Sequence, residues 1–351
     1  MGNEASPNLL MLIRIALYLT LVVIVLGAYT RLADAGLGCP DWPGCYGQLS
    51  VPTQSEEISQ ANKLFPERAV EPEKAWLEMI HRYFAGTLGL LVFVITSWCL
   101  SNKGISKLLP CAVAVVIVFQ AALGMWTVTL KLMPLVVMAH LLGGFTVLSL
   151  LTLLYCQLKQ VQQNIDHLSV DPSIRYLAIA GLVVLVMQIF LGGWTSSNYA
   201  ALMCTSLPIC EGDWQRHLDF STAFDLLQSG HDNYEFGVLE YPARMTIHVT
   251  HRFGAIVTTL VFAALVFKLI SQPSDTLNKA GWMIAGILTA QLSLGVSNVV
   301  FHLPLAVAVL HNLGAALMLV GGIIINYLLW RQQVEYSQLM INDKHEVEND
   351  G

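Results

Sequence analysis

Eight long apolar stretches constrain this chain more than any other feature. Each is about as long as the roughly 20 residues that an α-helix needs to cross a bilayer. They lie at about 10–29, 76–100, 108–130, 135–157, 174–194, 244–270, 279–300 and 304–330. Because lipid cannot satisfy free backbone polar groups, a spanning stretch of this length is a helix. The sequence therefore predicts an all-α integral membrane protein with eight transmembrane helices.

The composition supports this class and excludes another. Only 12% of the residues are charged, whereas a soluble domain carries about 25%. The formal net charge of −6, without a basic run, gives no electrostatic footprint for nucleic acid. Arg14 is followed by an apolar run of spanning length, without a cleavage site or a transit-like segment. We therefore expect a bacterial plasma membrane, with the lipid bilayer as the main surroundings.

The connections between the stretches predict the topology. Two connections, about 30–75 and 195–243, are long and acid-rich. Basic residues fall instead in alternate short connections and in the C-terminal tail: Lys103, Lys107, Lys159, Arg175, Lys268, Lys279 and Arg331. The positive-inside rule then places both termini in the cytoplasm and both long loops outside. Lys131, in another short connection, is the exception.

The chain is internally duplicated. Residues 26–45 align without a gap on 191–210, and both segments contain two cysteines and a proline at matching places. The predicted architecture is two tandem pseudo-symmetric four-helix bundles, at 1–165 and 166–335, followed by a polar cytoplasmic tail at 336–351. Repeats related by an axis along the membrane normal are a known membrane architecture.

A shorter motif recurs near the outer ends of several helices. It is Leu-Gly followed by an aromatic residue and Thr, and it places Gly27, Gly124 and Gly192 at matching positions. Small residues at such positions favour close packing between membrane helices.

Four histidines occur at repeat-related positions near the outer ends of helices: His81, His140, His251 and His311. A single histidine in a membrane helix is often a packing or proton-relay residue. Four at matched depth favour axial ligation of a flat macrocycle such as haem, with neutral imidazole as the ligand. The expected pairs are His81 with His140 and His251 with His311. A zinc site is the alternative, although two histidines make a poor structural zinc site.

Charged neighbours distinguish the two halves. Arg82 and Arg252 follow their histidines and are candidates for binding haem propionates, although snorkelling to head groups would also explain them. Glu78 lies three residues before His81, whereas His248 takes the matching place in the second half. A carboxylate in only one pocket suggests a catalytic role there, unless Glu78 merely forms a salt bridge with Arg82.

Two cysteine pairs lie at equivalent places in the long loops: Cys39 with Cys45, and Cys204 with Cys210. An oxidising compartment favours disulfides there, and the short, proline-containing segments suit local closure. Structural bracing and a redox or transfer role for the first pair both remain open.

Together these features resemble the haem A synthase family, in its cysteine-containing bacterial branch. The resemblance covers roughly residues 10–330 and rests on the duplicated plan, Glu78-x-x-His81-Arg82, His140, His251-Arg252, His311 and the cysteine pairs. It implies an oxidoreductase that converts a ring methyl of haem O to a formyl group through a hydroxymethyl intermediate. The product, haem A, would serve cytochrome oxidase.

The resemblance also implies roles for the residues. His81 and His140 would bind the substrate haem, with Glu78 catalytic, and His251 and His311 would hold a resident haem b. Haem O synthase and the cytochrome oxidase assembly apparatus would be partners, and a homo-oligomer is compatible with the sequence. A di-haem b-type electron-transfer cytochrome and a non-catalytic carrier or assembly factor are the alternatives. The one-sided Glu78 favours the enzyme over the cytochrome.

Overall fold

The computed structural model describes residues 6–159, 171–208, 210 and 213–349, with side chains up to 330. Within these residues the regular structure is helical, and strand-like pairing is limited to an isolated bridge between Cys45 and Gln48. The helices are α1 (Pro7–Leu32), α2 (Ser55–Leu64), α3 (Pro72–Ser101), α4 (Leu108–Thr129), α5 (Pro134–Leu158), α6 (Pro172–Ser197), α7 (Phe220–Ala223), α8 (Tyr241–Ile270), α9 (Asp275–Val300) and α10 (Leu305–Asn349). A 3₁₀ turn at Trp214–His217 precedes α7.

Eight of these helices are long and apolar enough to cross a membrane, and they match the eight predicted stretches. Most begin with a proline in the first turn, where its missing N–H is not needed. Large apolar side chains such as Leu90 and Val115 are 71% and 68% exposed in the isolated chain. Such exposure is expected where lipid surrounds the helix. The predicted class, an all-α membrane protein with eight spans, is therefore confirmed.

The spanning helices pack as two rings of four. In the first ring, α1 contacts α3 and α5, and α4 contacts the same two helices. The second ring repeats this pattern with α6, α8, α9 and α10, and the rings meet through α1, α5, α6 and α10. The predicted boundary at 165 and 166 lies outside the described residues, so the exact domain limits stay a prediction. Helix α10 continues into the predicted tail and ends at Asn349.

The apolar core fills the end of each ring that lies away from the long loops. In the first ring it includes Leu9, Ile13, Val92 and Leu151, which are almost fully buried. A second cluster joins α5 to the second ring around Phe145 and Phe262. Close-packed side chains therefore seal one end, and the histidines lie towards the other.

The two long loops meet at that other end. Arg68 and Glu235 form a bidentate ion pair between them, at 2.7 and 2.9 Å. This pairing raises the pKa of Arg68 above its usual value. Lys131, the exception to the charge rule, lies 3.7 Å from Glu67 in the first loop, and its carbonyl accepts a hydrogen bond from the N–H of Tyr234 in the second. The two loops therefore form one cap over both rings.

Candidate functional site

The structure brings His81 of α3 and His140 of α5 together beneath this cap. Their ring centroids are 6.5 Å apart and their planes meet at 88°. Two imidazoles that bind one metal ion from opposite sides have centroids roughly 6 Å apart, since each metal–nitrogen bond is about 2 Å long. The pair therefore has a spacing that suits one metal atom between two imidazoles.

The second pair occupies the equivalent helices of the other ring. His251 lies on α8 and His311 on α10, and each ring packs against a glycine of the neighbouring helix. The structure thus places one histidine pair within each ring, as the repeat predicts.

Each of the four rings packs against a glycine of the neighbouring helix. A Cβ atom on that glycine would lie only 2.9 to 3.4 Å from Cε1 of the imidazole. The pairs are Gly27 with His81, Gly124 with His140, Gly192 with His251, and Gly295 with His311. The Leu-Gly motif predicted close packing at three of these positions, and the group that uses the space is a histidine ring.

Three of the histidines have a further pair of residues beside them. A glutamine precedes the first glycine by four residues, and a second glycine follows the histidine by three. The pairs are Gln120 with Gly143, Gln188 with Gly254, and Gln291 with Gly314. A Cβ atom on any of these second glycines would lie only 1.6 to 2.2 Å from the glutamine amide. The amide therefore fills the space that the missing side chain leaves.

Two of these amides contact the histidine ring directly. Nε2 of Gln188 lies 3.0 Å from Nδ1 of His251 and donates to the His251 carbonyl oxygen at 3.0 Å. Nε2 of Gln291 lies 3.4 Å from Nε2 of His311. Gln188, like the other two glutamines, was not predicted from the sequence as a site residue. The Gln-x-x-x-Gly spacing, present in all three places, was the signal that would have found it.

The histidine nitrogens fit a bound metalloporphyrin. Among the described residues, Nδ1 of His81, His140 and His311 is buried without a hydrogen-bond partner. A buried polar atom without a partner costs free energy, and a group bound by the ring would compensate for that cost. Neutral imidazole is a haem ligand, so the donor set suits haem iron. The described residues contain no group of three or more His, Cys, Asp and Glu arranged for a metal ion, so the zinc alternative gains no support.

Glu78 connects helix α3 to the first disulfide loop. Its side chain is 7% exposed. Oε1 accepts a hydrogen bond from Nη2 of Arg82 at 2.5 Å, and Oε2 accepts one from the backbone N–H of Cys39 at 2.9 Å. Nη1 of Arg82 donates to the carbonyl oxygens of Asp41 and Gly44 in the same loop. The salt bridge that the sequence left open is therefore present, and both carboxylate oxygens are engaged.

The second half uses the same geometry with a different residue. Nε of Arg252 donates to Nε2 of His248 at 3.1 Å, and Nδ1 of His248 lies 3.0 Å from the carbonyl oxygen of Ala200. Nη1 and Nη2 of Arg252 donate to the carbonyl oxygens of Ser206 and Cys204. Both arginines therefore clamp a disulfide loop, and their predicted propionate contacts stay a prediction.

Both cysteine pairs form disulfides, Cys39 with Cys45 and Cys204 with Cys210, which confirms the predicted pairing. Arg31 of α1 connects the two halves. Its guanidinium donates to the Ser196 carbonyl oxygen at 2.7 Å.

The chain is similar in sequence to a known protein family and to several of its members. The family described as COX15-CtaA, cytochrome oxidase assembly protein, matches residues 10–322. A haem A synthase of Shewanella oneidensis is 55% identical over 328 residues, which is 93% of this chain and 98% of that protein. Haem A synthases of Rickettsia bellii and Bartonella tribocorum are each 24% identical and align with 86% of this chain, covering 92% and 87% of their own lengths.

Proposed function

Since the chain belongs to the COX15-CtaA family of cytochrome oxidase assembly proteins, we propose that it is the membrane enzyme that converts haem O to haem A. The reaction oxidises a ring methyl to a formyl group through a hydroxymethyl intermediate. The methyl carbon loses four electrons and gains one oxygen atom, so the enzyme is an oxidoreductase. The observation that carries this proposal is two histidine pairs in equivalent surroundings, only one of which has a carboxylate one helical turn away.

The two pairs then have different occupants. His81 and His140 hold the substrate haem in the first ring, and the 6.5 Å spacing of their rings supports this assignment. His251 and His311 hold haem b in the second ring. Once bound there, haem b supplies one-electron transfer, and the protein contributes its position and surroundings.

Glu78 acts as the catalytic acid or base. It lies one helical turn from His81, and a carboxylate beside the reacting ring can accept a proton or orient a water molecule. Arg82 donates to one carboxylate oxygen and the Cys39 N–H donates to the other, and together these contacts fix the direction of the Glu78 side chain. The first disulfide then serves to hold that N–H in place. Arg82 and Arg252 are the propionate-binding candidates, because each lies beside an iron ligand and near the cap.

The membrane assignment follows the charge pattern. We place the protein in the bacterial plasma membrane, with both termini in the cytoplasm and the two disulfide loops outside. Haem O synthase delivers the substrate, and the cytochrome oxidase assembly apparatus receives the product. Homo-oligomers are compatible with this arrangement.

The test is to express the chain in cells that make haem O but no haem A, and to separate the extracted haems by chromatography. We expect haem A, with the hydroxymethyl intermediate as a minor species. Absence of both, with haem O supplied and the protein in the membrane, would contradict the proposal and favour the di-haem cytochrome. A variant lacking His81 and His140 is the control, since it removes the substrate ligands.

A further inference from the structure

The four histidines are equivalent in position but are not equally supported. Gln120, Gln188 and Gln291 each lie against the glycine that follows a histidine by three residues. At the matching places in the first helix pair stand Val23 on α1 and Phe84 on α3. The glutamine and the second glycine are therefore both replaced at His81.

The residues at positions 23 and 84 depend on each other sterically. A glutamine on α1 would need the space that only a glycine leaves, because the three existing amides come within 1.6 to 2.2 Å of a Cβ at that place. With Phe84 there, a glutamine in the position of Val23 would collide with the side chain. The first helix pair therefore has neither member of the arrangement.

The glutamine amide supplies a polar contact that an iron-binding histidine uses. A histidine that binds metal through one nitrogen is oriented by a hydrogen bond at the other, and loss of that partner costs about 10- to 100-fold in metal affinity. Gln188 lies 3.0 Å from Nδ1 of His251. The same Nε2 also donates to the His251 carbonyl oxygen at 3.0 Å, so the amide holds both the ring and the backbone of His251.

We propose that Gln188 and Gln291 are positioning residues that hold the two ligands of the resident haem, and that His81, which lacks such a residue, is the exchangeable ligand of the substrate haem. Gln120 fills the space over Gly143 beside His140, but its Nε2 is buried without a hydrogen-bond partner, so it does not make the ring contact that Gln188 and Gln291 make. This rests on the proposed function. It explains how two similar sites differ in use, because the second retains its haem while the first must accept haem O and release haem A.

The test measures the rate at which the purified full-length protein, in detergent, loses haem to an excess of an apo-globin acceptor. Gln188→Leu and Gln291→Leu keep a side chain of similar volume over Gly254 and Gly314 but remove the amide. We expect each to release the resident haem about 10-fold faster or more, and to change its midpoint potential and its ferric low-spin spectrum. Gln157→Leu is the matched control, since Gln157 is exposed at the end of α5.

The reverse experiment installs the missing arrangement. In Val23→Gln/Phe84→Gly, release of haem from the first ring should slow, while the resident haem keeps its rate and spectrum. Unchanged release and an unchanged potential in both leucine variants, equal to Gln157→Leu, would overturn the inference. So would equal release rates from the two sites of the wild-type protein. Failure of the proposed function is distinct, because extraction of the wild-type protein would then yield no haem A, whatever the rates at which its haems are released.

Discussion

Each disulfide loop is attached to its helix by an arginine at a repeat-related position, but the two arginines have different side-chain partners. In the first half, Arg82 pairs with the carboxylate of Glu78. In the second half, Arg252 donates to the imidazole of His248. Both arginines also bind loop carbonyl oxygens at equivalent positions. The duplication has therefore kept the mechanical attachment, and the difference between the halves is one buried negative charge.

Glu78 has two roles, and the second half of the molecule contains a counterpart for only one of them. As a clamp, Glu78 resembles His248, and a neutral residue can do the same work. As a charged group beside the substrate site, it has no counterpart in the second half. Variants at matched positions should therefore give different results for activity and for stability.

The largest expected effect is on product formation. Glu78→Gln keeps the size of the side chain and an oxygen that can accept from the Cys39 N–H, but it removes the charge. We expect haem A formation to fall by at least about 100-fold, the range for loss of an acid or base, while the resident haem remains. His248→Gln should change product formation by no more than about 3-fold, because no acid–base group is lost. Extracted haems measured by chromatography would show this, and normal haem A in Glu78→Gln would remove Glu78 from the chemistry.

The next effect is on stability. Arg82→Ala leaves a carboxylate that is 7% exposed without its partner, and we expect a loss of about 3 kcal/mol in the free energy of unfolding. Arg252→Ala removes hydrogen bonds to an imidazole and to backbone carbonyl groups and leaves no buried charge behind, so a loss of about 1 kcal/mol is expected.

Thermal unfolding in detergent would measure both arginine variants. Arg216→Ala is the control, since that side chain is 82% exposed and should cost little. Equal losses for Arg82→Ala and Arg252→Ala would mean that the charge of Glu78 does not distinguish the two attachments.

Removal of either disulfide should cost less stability than Arg82→Ala and should separate the halves by activity. Each disulfide spans six positions, and closing so short a loop is worth about 2 kcal/mol. The melting temperature should therefore fall by a similar amount in Cys39→Ala/Cys45→Ala and in Cys204→Ala/Cys210→Ala. Only the first should lose haem A formation, because the Cys39 N–H directs Glu78. Equal activity of both variants would limit the first disulfide to bracing.

Much of the fold followed from the sequence because lipid imposes a strong rule. Apolar stretches of spanning length can only be helices, and their ends matched the structure to within a few residues at α4, α5 and α9. The short helix α2 and the turns near α7 lie outside the membrane, where that rule does not apply, and periodicity did not predict them. The cap also needed the structure, since the Arg68 and Glu235 pair joins residues that no repeat relates.

The candidate site was predicted only in outline. Repeat alignment identified His81 and the other three histidines, because duplication makes functional positions visible twice. It did not show that the Arg82 guanidinium donates to carbonyl oxygens of the loop, because every residue has a backbone carbonyl and the sequence does not indicate which one is used. Gln188 was not predicted because its counterpart in the first half is Val23, so the alignment shows no match there, although its spacing from Gly192 repeats that of Gln120 from Gly124.

The haem content of two purified double variants tests the central claim most directly. The claim is that the first ring binds the substrate haem and the second ring binds the resident haem b. His81→Ala/His140→Ala should retain haem b, measured by extraction and chromatography, and should contain no haem O or haem A. His251→Ala/His311→Ala should lose haem b. Retention of haem b at the wild-type level in the second variant, or its loss in the first alone, would contradict the assignment of the two halves.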